Sequence, residues 1–398
     1  ASDVYKRQIK LGQKTNRSDQ KSKRWKHMAR VALGQSKMTV QPITGFLHII
    51  VYVGFIIINI ELLEIIVDGF LGTHRVFSPY LGSTYDVLIA TFEIFALLVI
   101  IAVSAFWIRR NIMRIRRFLK PEMKGWPKKD ADYILYIELV LMFLFLTMNA
   151  SDYWLQHHPE AQSYYLQAGH FPISGLLTPL FDGMSYTTVV TIERTSWWLH
   201  IIGILAFLNY LYYSKHLHII LAFPNTFYAN LNPLGRFSHS EVVANEVKFM
   251  MDPSADPYAS PAVEGEPISF GAADVKDLNR IQLMNAYSCT ECGRCTDVCP
   301  ANQTGKKLSP RKIMMDTRDR LEQVGKQLDR GLEVDDKTLL DHHISREELW
   351  ACTTCNACVE ACPISIDPLS IIMDMRQYLV CLLYTSDAAD ERSSVDLG

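Results

Sequence analysis

Eight of the nine cysteines stand in two runs with the same spacing. Each run reads Cys-x2-Cys-x2-Cys-x3-Cys-Pro, and the ligands they offer are Cys289, Cys292, Cys295 and Cys299, then Cys352, Cys355, Cys358 and Cys362. Thiolates at this spacing bind two [4Fe–4S] clusters. Three close thiolates hold three corners of a cubane, while the fourth reaches the other cluster. We therefore predict one cluster on Cys289, Cys292, Cys295 and Cys362, and the other on Cys352, Cys355, Cys358 and Cys299.

Zinc and disulfide bonds are the two alternatives for these cysteines. Structural zinc sites use pairs of cysteines set further apart, which gives no reason for a third cysteine at the same short interval. Disulfides need an oxidising compartment, and the topology argued below places these residues in the cytoplasm. The 52 residues between Cys299 and Cys352 include predicted helices over Pro310–Gln327 and Arg346–Trp350. This long insertion favours an all-helical domain of the ferredoxin type.

The rest of the chain differs in composition from the cysteine region. The sequence has 398 residues, 49% of them hydrophobic, with a net charge of −2, which excludes a disordered chain. Long apolar runs cover residues 43–67, 87–108, 133–148 and 197–223. A helix of about 20 apolar residues crosses a hydrocarbon core of about 30 Å. We therefore predict an all-α transmembrane bundle with four visible spans rather than buried helices of a soluble core.

The distribution of basic residues predicts the orientation of these spans. The segment before the first span is rich in Lys and Arg, and so is the loop 109–129, whereas the loop 150–196 has Arg194 alone. Loops rich in Lys and Arg face the cytoplasm. The pattern thus predicts a multi-pass membrane protein with the cysteine-bearing domain in the cytoplasm.

Several histidines fall within or beside the predicted spans, where polar side chains are usually functional. His200 and His218 are 18 residues apart and would share one face of a continuous helix. His48 lies near the inner end of the first span, so His48 and His218 could bind a b-type haem from both sides. His74 is the best-placed partner of His200 for a second haem. The alternative is that these histidines are interfacial residues at helix ends.

Carboxylates lie near the predicted outer end of the first span, at Glu61, Glu64 and Asp68. Oxidation of a quinol releases protons, and a carboxylate near an outer haem could accept them. A helix end entering the lipid headgroup region explains the same residues equally well. No catalytic residue is identified from the sequence.

Both ends of the chain resemble translated adapter sequence, and we expect residues 1–8 and 380–398, with Cys381, to be non-native. The native protein would then continue past both ends. The predicted segments are residues 1–8, a basic cytoplasmic segment 9–42, a transmembrane domain 43–223, a linker 224–279, a two-cluster domain 280–379, and residues 380–398.

Two stretches of the sequence also resemble known families. Trp197–His218, which ends Ser-Lys-His-Leu-His, resembles the gamma subunit of respiratory nitrate reductase, a quinol-oxidising cytochrome b. That subunit has five spans, so the resemblance implies that a fifth span has been lost here. Ala286–Pro300 resembles the iron–sulfur subunit related to heterodisulfide reductase. The fused arrangement resembles the bacterial membrane-bound iron–sulfur oxidoreductases, which implies a multi-pass protein of the bacterial inner membrane.

These resemblances imply how cofactors are bound. His48 and His218 match the ligands of the inner haem, and His200 matches one ligand of the outer haem. The position of the other outer ligand is Ile58 here, so His74 would have to substitute. Relatives of the heterodisulfide reductase type also continue past the second cysteine run into catalytic domains.

The sequence therefore predicts a membrane electron-transfer oxidoreductase subunit. It would pass electrons between the quinone pool, b-type haem and two [4Fe–4S] clusters, to or from a cytoplasmic partner protein or a missing C-terminal catalytic domain. Membrane lipid is an expected partner, and nucleic acid is not. The alternative is a haem-free, membrane-anchored electron carrier of the ferredoxin type, in which the spans serve only as a scaffold.

Overall fold

The computed structural model describes residues 2–161, 164–236 and 270–383, together with residues 244, 247, 248 and 250–252. In these ranges the regular elements are helices, and β pairing is limited to two isolated bridges. This confirms the predicted all-α class. The chain divides into two compact units. We name them the apolar unit, Met38–His216, and the cysteine unit, Ala1–Lys37 with Leu217–Gly398.

Within the described residues, three helices are long and apolar enough to cross a membrane: Pro42–Leu71, Ser83–Asn111 and Trp126–Gln156. They are the first, second and third apolar helices of the apolar unit. Each has 29 to 31 residues, or roughly 45 Å at about 1.5 Å per residue. The third is almost twice as long as the predicted run 133–148, because its polar first and last turns are helical as well. These helices indicate that the chain associates with a membrane.

The predicted fourth span, residues 197–223, is not one helix. A helix covers Tyr186–Leu211, a single 3₁₀ turn follows at Lys215–Leu217, and a new helix covers His218–Phe227. Around this break, the Asp130 carboxylate accepts hydrogen bonds from the Tyr210 hydroxyl at 2.5 Å and the Lys215 backbone N–H at 3.0 Å.

The helix therefore ends where Tyr210 and Lys215 donate hydrogen bonds to the buried Asp130 carboxylate. The prediction that His200 and His218 share one helix face is wrong, because each lies on its own helix. Of the four predicted spans, three are found among the described residues as membrane-length helices.

Close packing and paired polar groups hold the apolar helices together. The first and second helices approach closely at Gly54, where an added Cβ would lie 2.7 Å from Val99 Cγ2. At the end that includes the loop 109–129, Trp107 Nε1 donates to the Tyr136 hydroxyl, and Arg110 pairs with Asp132 at 3.3 Å. The other end of the bundle holds the C-terminal ends of the first and third helices and the start of Tyr186–Leu211.

The cysteine unit is built from short helices around one apolar core. Its helices are Ser2–Ile9, Lys21–Met28, His218–Phe227, Arg280–Ser288, Arg294–Asp297, Pro300–Gln303, Pro310–Asp329, Leu339–His342, Arg346–Trp350, Ala357–Ala361 and Pro368–Tyr378, with π-helical turns at Ala29–Leu33 and Leu379–Leu383. The predicted helices at Pro310 and Arg346 are confirmed. A serine caps the N-terminus of each helix. Ser309 Oγ accepts from Lys312 N, and Ser345 forms a reciprocal capping box with Glu348.

The basic segment near the N-terminus is folded into the cysteine unit. Arg24 is buried, and its guanidinium donates to the carbonyls of Asp19, Phe227 and Ala229 at 2.9 to 3.2 Å. Within the first eight residues, the Tyr5 ring packs edge-on against Tyr287. The adapter origin of residues 1–8 stays a prediction. Most of the predicted linker after residue 236, and residues 384–398, lie outside the described residues.

Candidate functional site

The two cysteine loops share one backbone conformation. In each loop, the second residue after the first cysteine has a positive φ, +56° at Glu291 and +55° at Thr354. The residue after the second cysteine does too, +74° at Gly293 and +60° at Asn356. A short helix then starts in both, at Arg294 and at Ala357. Left-handed backbone curls the chain tightly, so each loop wraps around the space in front of its three cysteines.

The thiols that the sequence assigns to the first cluster line one cavity. Cys289, Cys292 and Cys295 come from the first loop, and Cys362 reaches the same cavity from the second cysteine run. Its remaining wall consists of Thr290, Gly293, Arg311, Met314, Pro363, Ile364, Ile366 and Pro368. We name this space the first cluster cavity. Four cysteine sulfur atoms around an otherwise largely apolar space fit the donor set that a cubane requires.

The remaining four cysteines are also neighbours. Burial raises the pKa of Cys352, and the nearby thiols of Cys299 and Cys355 raise it further. Burial likewise raises the pKa of Cys358, with added contributions from Cys352, Asp367, Cys299 and Cys355. The second set thus combines three cysteines of one loop with Cys299 from the other run. Cys355 is exposed, whereas Cys358 is buried.

The chemistry of these thiols fits bound iron–sulfur clusters. Burial raises the pKa of Cys289 to about 12 and that of Cys362 to about 11, so the free thiols would be protonated at neutral pH. A metal ligand must lose that proton, and binding supplies the energy to remove it. Backbone N–H groups also donate to sulfur, from Thr354 to Cys352 Sγ at 3.4 Å and from Ile366 to Cys362 Sγ at 3.3 Å. Such donors tune the potential of a cluster.

Arg311 lines the first cluster cavity, Arg294 lies in the first cysteine loop, and Arg318 binds Glu291 of that loop. Arg311 is fully buried and lines the cavity directly. Arg318 donates to Glu291 Oε1 at 2.7 Å, next to Cys292 in sequence. Burial alone would lower the pKa of Arg318, but the Glu291 carboxylate raises it well above the ordinary value. Arg294 anchors the end of the N-terminal segment by donating to the Lys37 carbonyl at 3.1 Å. These charged residues could not be located from the cysteine spacing alone.

The histidines predicted to bind haem lie in three different settings. His48 lies on the first apolar helix. His218 starts a helix of the cysteine unit, so the pairing of His48 with His218 stays a prediction. His200 is buried, and its Nδ1 lies 3.0 Å from the Leu141 carbonyl oxygen. Because a carbonyl can only accept, Nδ1 carries the proton and Nε2 keeps a lone pair that can bind a metal.

His74 belongs to a buried polar network in the apolar unit. Its Nε2 lies 2.7 Å from Asp152 Oδ1. Arg75 donates to Asp152 Oδ2 at 2.8 and 3.0 Å, to Asn149 at 2.8 Å and to Glu61 Oε1 at 3.0 Å. Binding of haem through His74 Nε2 would have to replace the bond to Asp152. The pairing of His74 with His200 therefore stays a prediction.

The three predicted carboxylates have structural partners. Glu61 is held by Arg75, and Glu64 accepts from the Tyr85 hydroxyl at 2.7 Å and the Phe77 N–H at 2.9 Å. Asp68 accepts from the backbone N–H groups of Arg75 and Val76 in the turn that ends the first helix. Sequence reasoning missed Arg75 and Asp152. For Arg75 the sequence gave a weak signal, a lone basic residue just after the end of a span. For Asp152 the weak signal was a carboxylate in the last turns of a long helix.

A cavity of about 180 Å³ opens beside this network. We name it the histidine cavity. It is lined by Glu64, Ile65, Asp68, Gly69, Gly72, Thr73, His74, Arg75, Met148, Asp152, Tyr164, Glu193, Arg194, Trp197 and Trp198. All of these residues belong to the apolar unit.

Comparison with known proteins identifies the cysteine region. Residues 288–366 match the 4Fe–4S dicluster domain. The match spans both cysteine runs and the helices between them, and supports iron–sulfur clusters as the cofactors of this chain.

Curated relatives extend the similarity to most of the chain. The chain is 28% identical over 98% of its length to the probable iron–sulfur-binding oxidoreductase FadF of Bacillus subtilis, covering 54% of that protein. It is 23% identical over 88% of its length to the EtfAB:quinone oxidoreductase of Syntrophomonas wolfei, covering 48% of it. A shorter stretch is 32% identical to an iron–sulfur subunit of the CoB–CoM heterodisulfide reductase of Methanopyrus kandleri, over 21% of this chain and 33% of that relative.

These findings support an iron–sulfur protein related to electron-transfer oxidoreductases. The resemblance to the heterodisulfide reductase iron–sulfur subunit is confirmed by a relative of that name. The resemblance to a cytochrome b stays a prediction, because neither haem nor cytochrome b is named in these matches. The chain spans about half the length of the first two relatives. No solved structure matches the chain.

Proposed function

We propose that this chain transfers electrons between the quinone pool and a redox partner through two [4Fe–4S] clusters. The observation that carries the proposal is the combination of two sets of four cysteines with a unit of three membrane-length apolar helices. Clusters exchange electrons one at a time, and apolar helices hold a protein where lipid-soluble quinones diffuse. The name of the relative from Syntrophomonas wolfei, a quinone oxidoreductase, is consistent with this substrate.

We further propose that b-type haem connects the quinone to the clusters. His48 and His218 would bind one haem, and His200 with His74 a second. The fixed orientation of His200, with Nδ1 donating to a backbone carbonyl, favours ligation through Nε2. Haem held by two histidines carries single electrons and leaves no open position for oxygen.

The partner on the far side of the clusters would be a cytoplasmic redox protein or a further domain. By the distribution of basic residues, the loop 109–129 faces the cytoplasm of a bacterium and the opposite end of the apolar helices faces out. The cysteine unit would then meet its partner in the cytoplasm. Relatives about twice as long as this chain are consistent with a further domain in that role.

Cofactor analysis of detergent-purified protein tests the proposal. We expect about eight iron and about eight acid-labile sulfide per chain in clusters, together with haem iron visible as b-type absorption bands. Adding a menaquinol analogue under anaerobic conditions should reduce the haem and then the clusters. Full cluster content without haem, and no reduction by quinol, would contradict the proposal and favour the haem-free, membrane-anchored carrier.

Single histidine variants test the haem ligands. His218→Ala should remove one b-type signal while iron and sulfide in the clusters stay unchanged, and His200→Ala should remove the other. His170→Ala is the matched control, because His170 is an exposed histidine of the same unit as His200. Unchanged haem content in both ligand variants would show that other residues bind the haem.

A further inference from the structure

The helix Lys21–Met28 is anchored through one side chain and leaves its neighbour uncovered. Arg24 is buried, and its guanidinium donates to the carbonyls of Phe227 and Ala229 at 3.2 and 2.9 Å. Trp25, the next residue, is 59% exposed. Its ring meets Phe227 edge-on, with the ring centroids 5.2 Å apart. The helix is thus fixed to the cysteine unit while most of a large indole ring stays on the surface.

Basic side chains and a second apolar side chain extend this exposed surface. Leu33 ends the π-helical turn that follows the helix and is 50% exposed. The one carboxylate of residues 9–37, Asp19, pairs with the buried Arg24 at 2.7 Å. The charge of the exposed basic residues is therefore not balanced from within this segment. We name as the basic–aromatic surface the six exposed residues Lys21, Lys23, Trp25, Lys26, Arg30 and Leu33.

The composition of this surface is typical of contact with lipid head groups. Indole rings favour the boundary between hydrocarbon and head groups, and the long side chains of lysine and arginine reach anionic phosphates from there. Juxtamembrane basic clusters bind anionic lipids for the same reason. An acidic protein would satisfy the charges as well, so the place of the surface in the chain decides between them.

The basic–aromatic surface lies close in sequence to a helix of membrane length. The first apolar helix begins at Pro42, nine residues after Leu33. Nine extended residues span about 30 Å at most. The surface therefore stays within that reach of the point where the first apolar helix begins, and a membrane crossed by this helix is its nearest large anionic partner.

The same N-terminal segment is bonded to both cysteine loops. Lys37 Nζ donates to the carbonyls of Val359 and Glu360 at 3.4 and 3.2 Å, in the short helix that carries Cys358. The Lys37 carbonyl accepts from Arg294 of the first loop at 3.1 Å. A contact that fixes this segment on lipid would thus also fix the orientation of the loops.

We propose that the basic–aromatic surface binds the head groups of anionic phospholipids and so holds the cysteine unit at the membrane surface. This binding needs neither haem nor quinone, and it goes beyond the proposed electron transfer.

Amine labelling of the full chain in lipid nanodiscs tests the inference. The protein is reconstituted in phosphatidylcholine alone, or in equal parts of phosphatidylcholine and phosphatidylglycerol, and is labelled with an N-hydroxysuccinimide ester for mass spectrometry. Phosphatidylglycerol should slow the labelling of Lys21, Lys23 and Lys26 about tenfold, because several basic residues bind the anionic surface together. Salt at about 1 M, where the Debye length is about 3 Å, should restore most of the rate.

Internal controls and a matched pair of variants locate the contact. Lys307 and Lys326 are exposed lysines elsewhere in the cysteine unit, and they should be labelled equally fast in both lipids. Trp25→Ser should lose most of the protection of the three lysines, because the apolar part of the contact is removed. Trp350→Ser is the control, since Trp350 is a tryptophan of the same unit with a similar exposure of 52%. It should keep the full protection, and both variants should keep their iron and sulfide.

Three results would overturn the inference. Equal labelling of the three lysines in both lipids would leave the basic–aromatic surface to an acidic protein. Equal slowing at Lys307 and Lys326 would show that protection is not confined to this surface. Full protection in Trp25→Ser would show that the indole ring does not contact the lipid. By contrast, failure of the protein to bind haem or oxidise a quinol would refute the proposed function and leave this inference standing.

Discussion

The two cysteine loops have the same backbone and different surroundings. Glu291 and Thr354 occupy equivalent left-handed positions in the two loops, yet Glu291 is 3% exposed and Thr354 is half-buried. The middle cysteine of the second loop, Cys355, is exposed, while its counterpart Cys292 is half-buried within the first cluster cavity. Local sequence thus sets how each loop wraps a cluster. The position of the loop in the fold decides what the cluster faces.

The difference extends to charge. The first cluster cavity is lined by buried Arg311, and the Glu291–Arg318 ion pair lies beside it. The second loop has Arg376, which donates to the carbonyls of Leu349 and Cys352 at 2.5 to 3.0 Å, and solvent beside Cys355. Cluster potentials respond to nearby charge, hydrogen bonds and solvent exposure. We therefore expect two clusters of different potential and different accessibility.

Removing one cysteine from each loop should give the largest effects. Cys292→Ala should lower the iron content by about half and destabilise the whole cysteine unit, because Cys292 is half-buried within the first cluster cavity, whereas Cys355 is exposed. Cys355→Ala should also remove about half of the iron but leave the unit folded. Iron and sulfide analysis with circular dichroism distinguishes the two. Equal loss of helicity in both variants would contradict the contrast between the loops.

Arg320 separates the effect of a buried charge on stability from its effect on a cluster. It is fully buried on the same helix as Arg311, and it pairs with Asp274 at 2.9 Å and Asp335 at 2.6 Å. Arg320→Ala leaves two carboxylates without their partner and should lower the free energy of unfolding, by less than the loss of a fully buried pair because both carboxylates are partly exposed. Thermal unfolding measures this loss. Both cluster potentials should stay unchanged in the protein that remains folded.

Arg311 provides the corresponding test at the cluster. Arg311→Gln should lower the midpoint potential of the first cluster alone, because a cation nearby stabilises the more negative reduced cluster. A unit charge about 10 Å away contributes roughly 1.7 kcal/mol at an effective dielectric constant of about 20, or about 70 mV for one electron. Redox titration followed by electron paramagnetic resonance resolves the two signals. Equal shifts in both clusters would show that the charge acts on the unit as a whole.

Replacing the left-handed residues of the two loops by glycine should have the smallest effects on the free energy of unfolding. The replacement should be stabilising in the second loop only. Thr354→Gly should raise the free energy of unfolding by about 1 kcal/mol, because a β-branched residue is strained at φ +55°. Glu291→Gly relieves similar strain but removes the 2.7 Å ion pair with Arg318. It should therefore be neutral or destabilising. Chemical denaturation of the cluster-loaded protein compares them, and stabilisation by Glu291→Gly would contradict the structural role of that pair.

Much of this architecture could be predicted from the sequence because it depends on local patterns. Cysteine spacing predicted the cluster ligands, and long apolar runs located three membrane-length helices. The helices starting at Pro310 and Arg346 follow from a serine directly before each of them. The fourth apolar run is not a single helix, because hydropathy does not reveal that Asp130, 85 residues earlier in the chain, accepts a hydrogen bond from the backbone of Lys215.

The candidate sites likewise combine features that local sequence predicts with features that only the fold decides. By itself, the sequence predicted the eight cysteine ligands and determined the apolar character of the apolar unit, since each depends on residues close together in the chain. Only the tertiary structure decided that His74 bonds Asp152, that Arg311 lines the first cluster cavity and that Cys355 faces solvent. Those features join residues far apart in sequence, and burial and charge pairing act between neighbours in space.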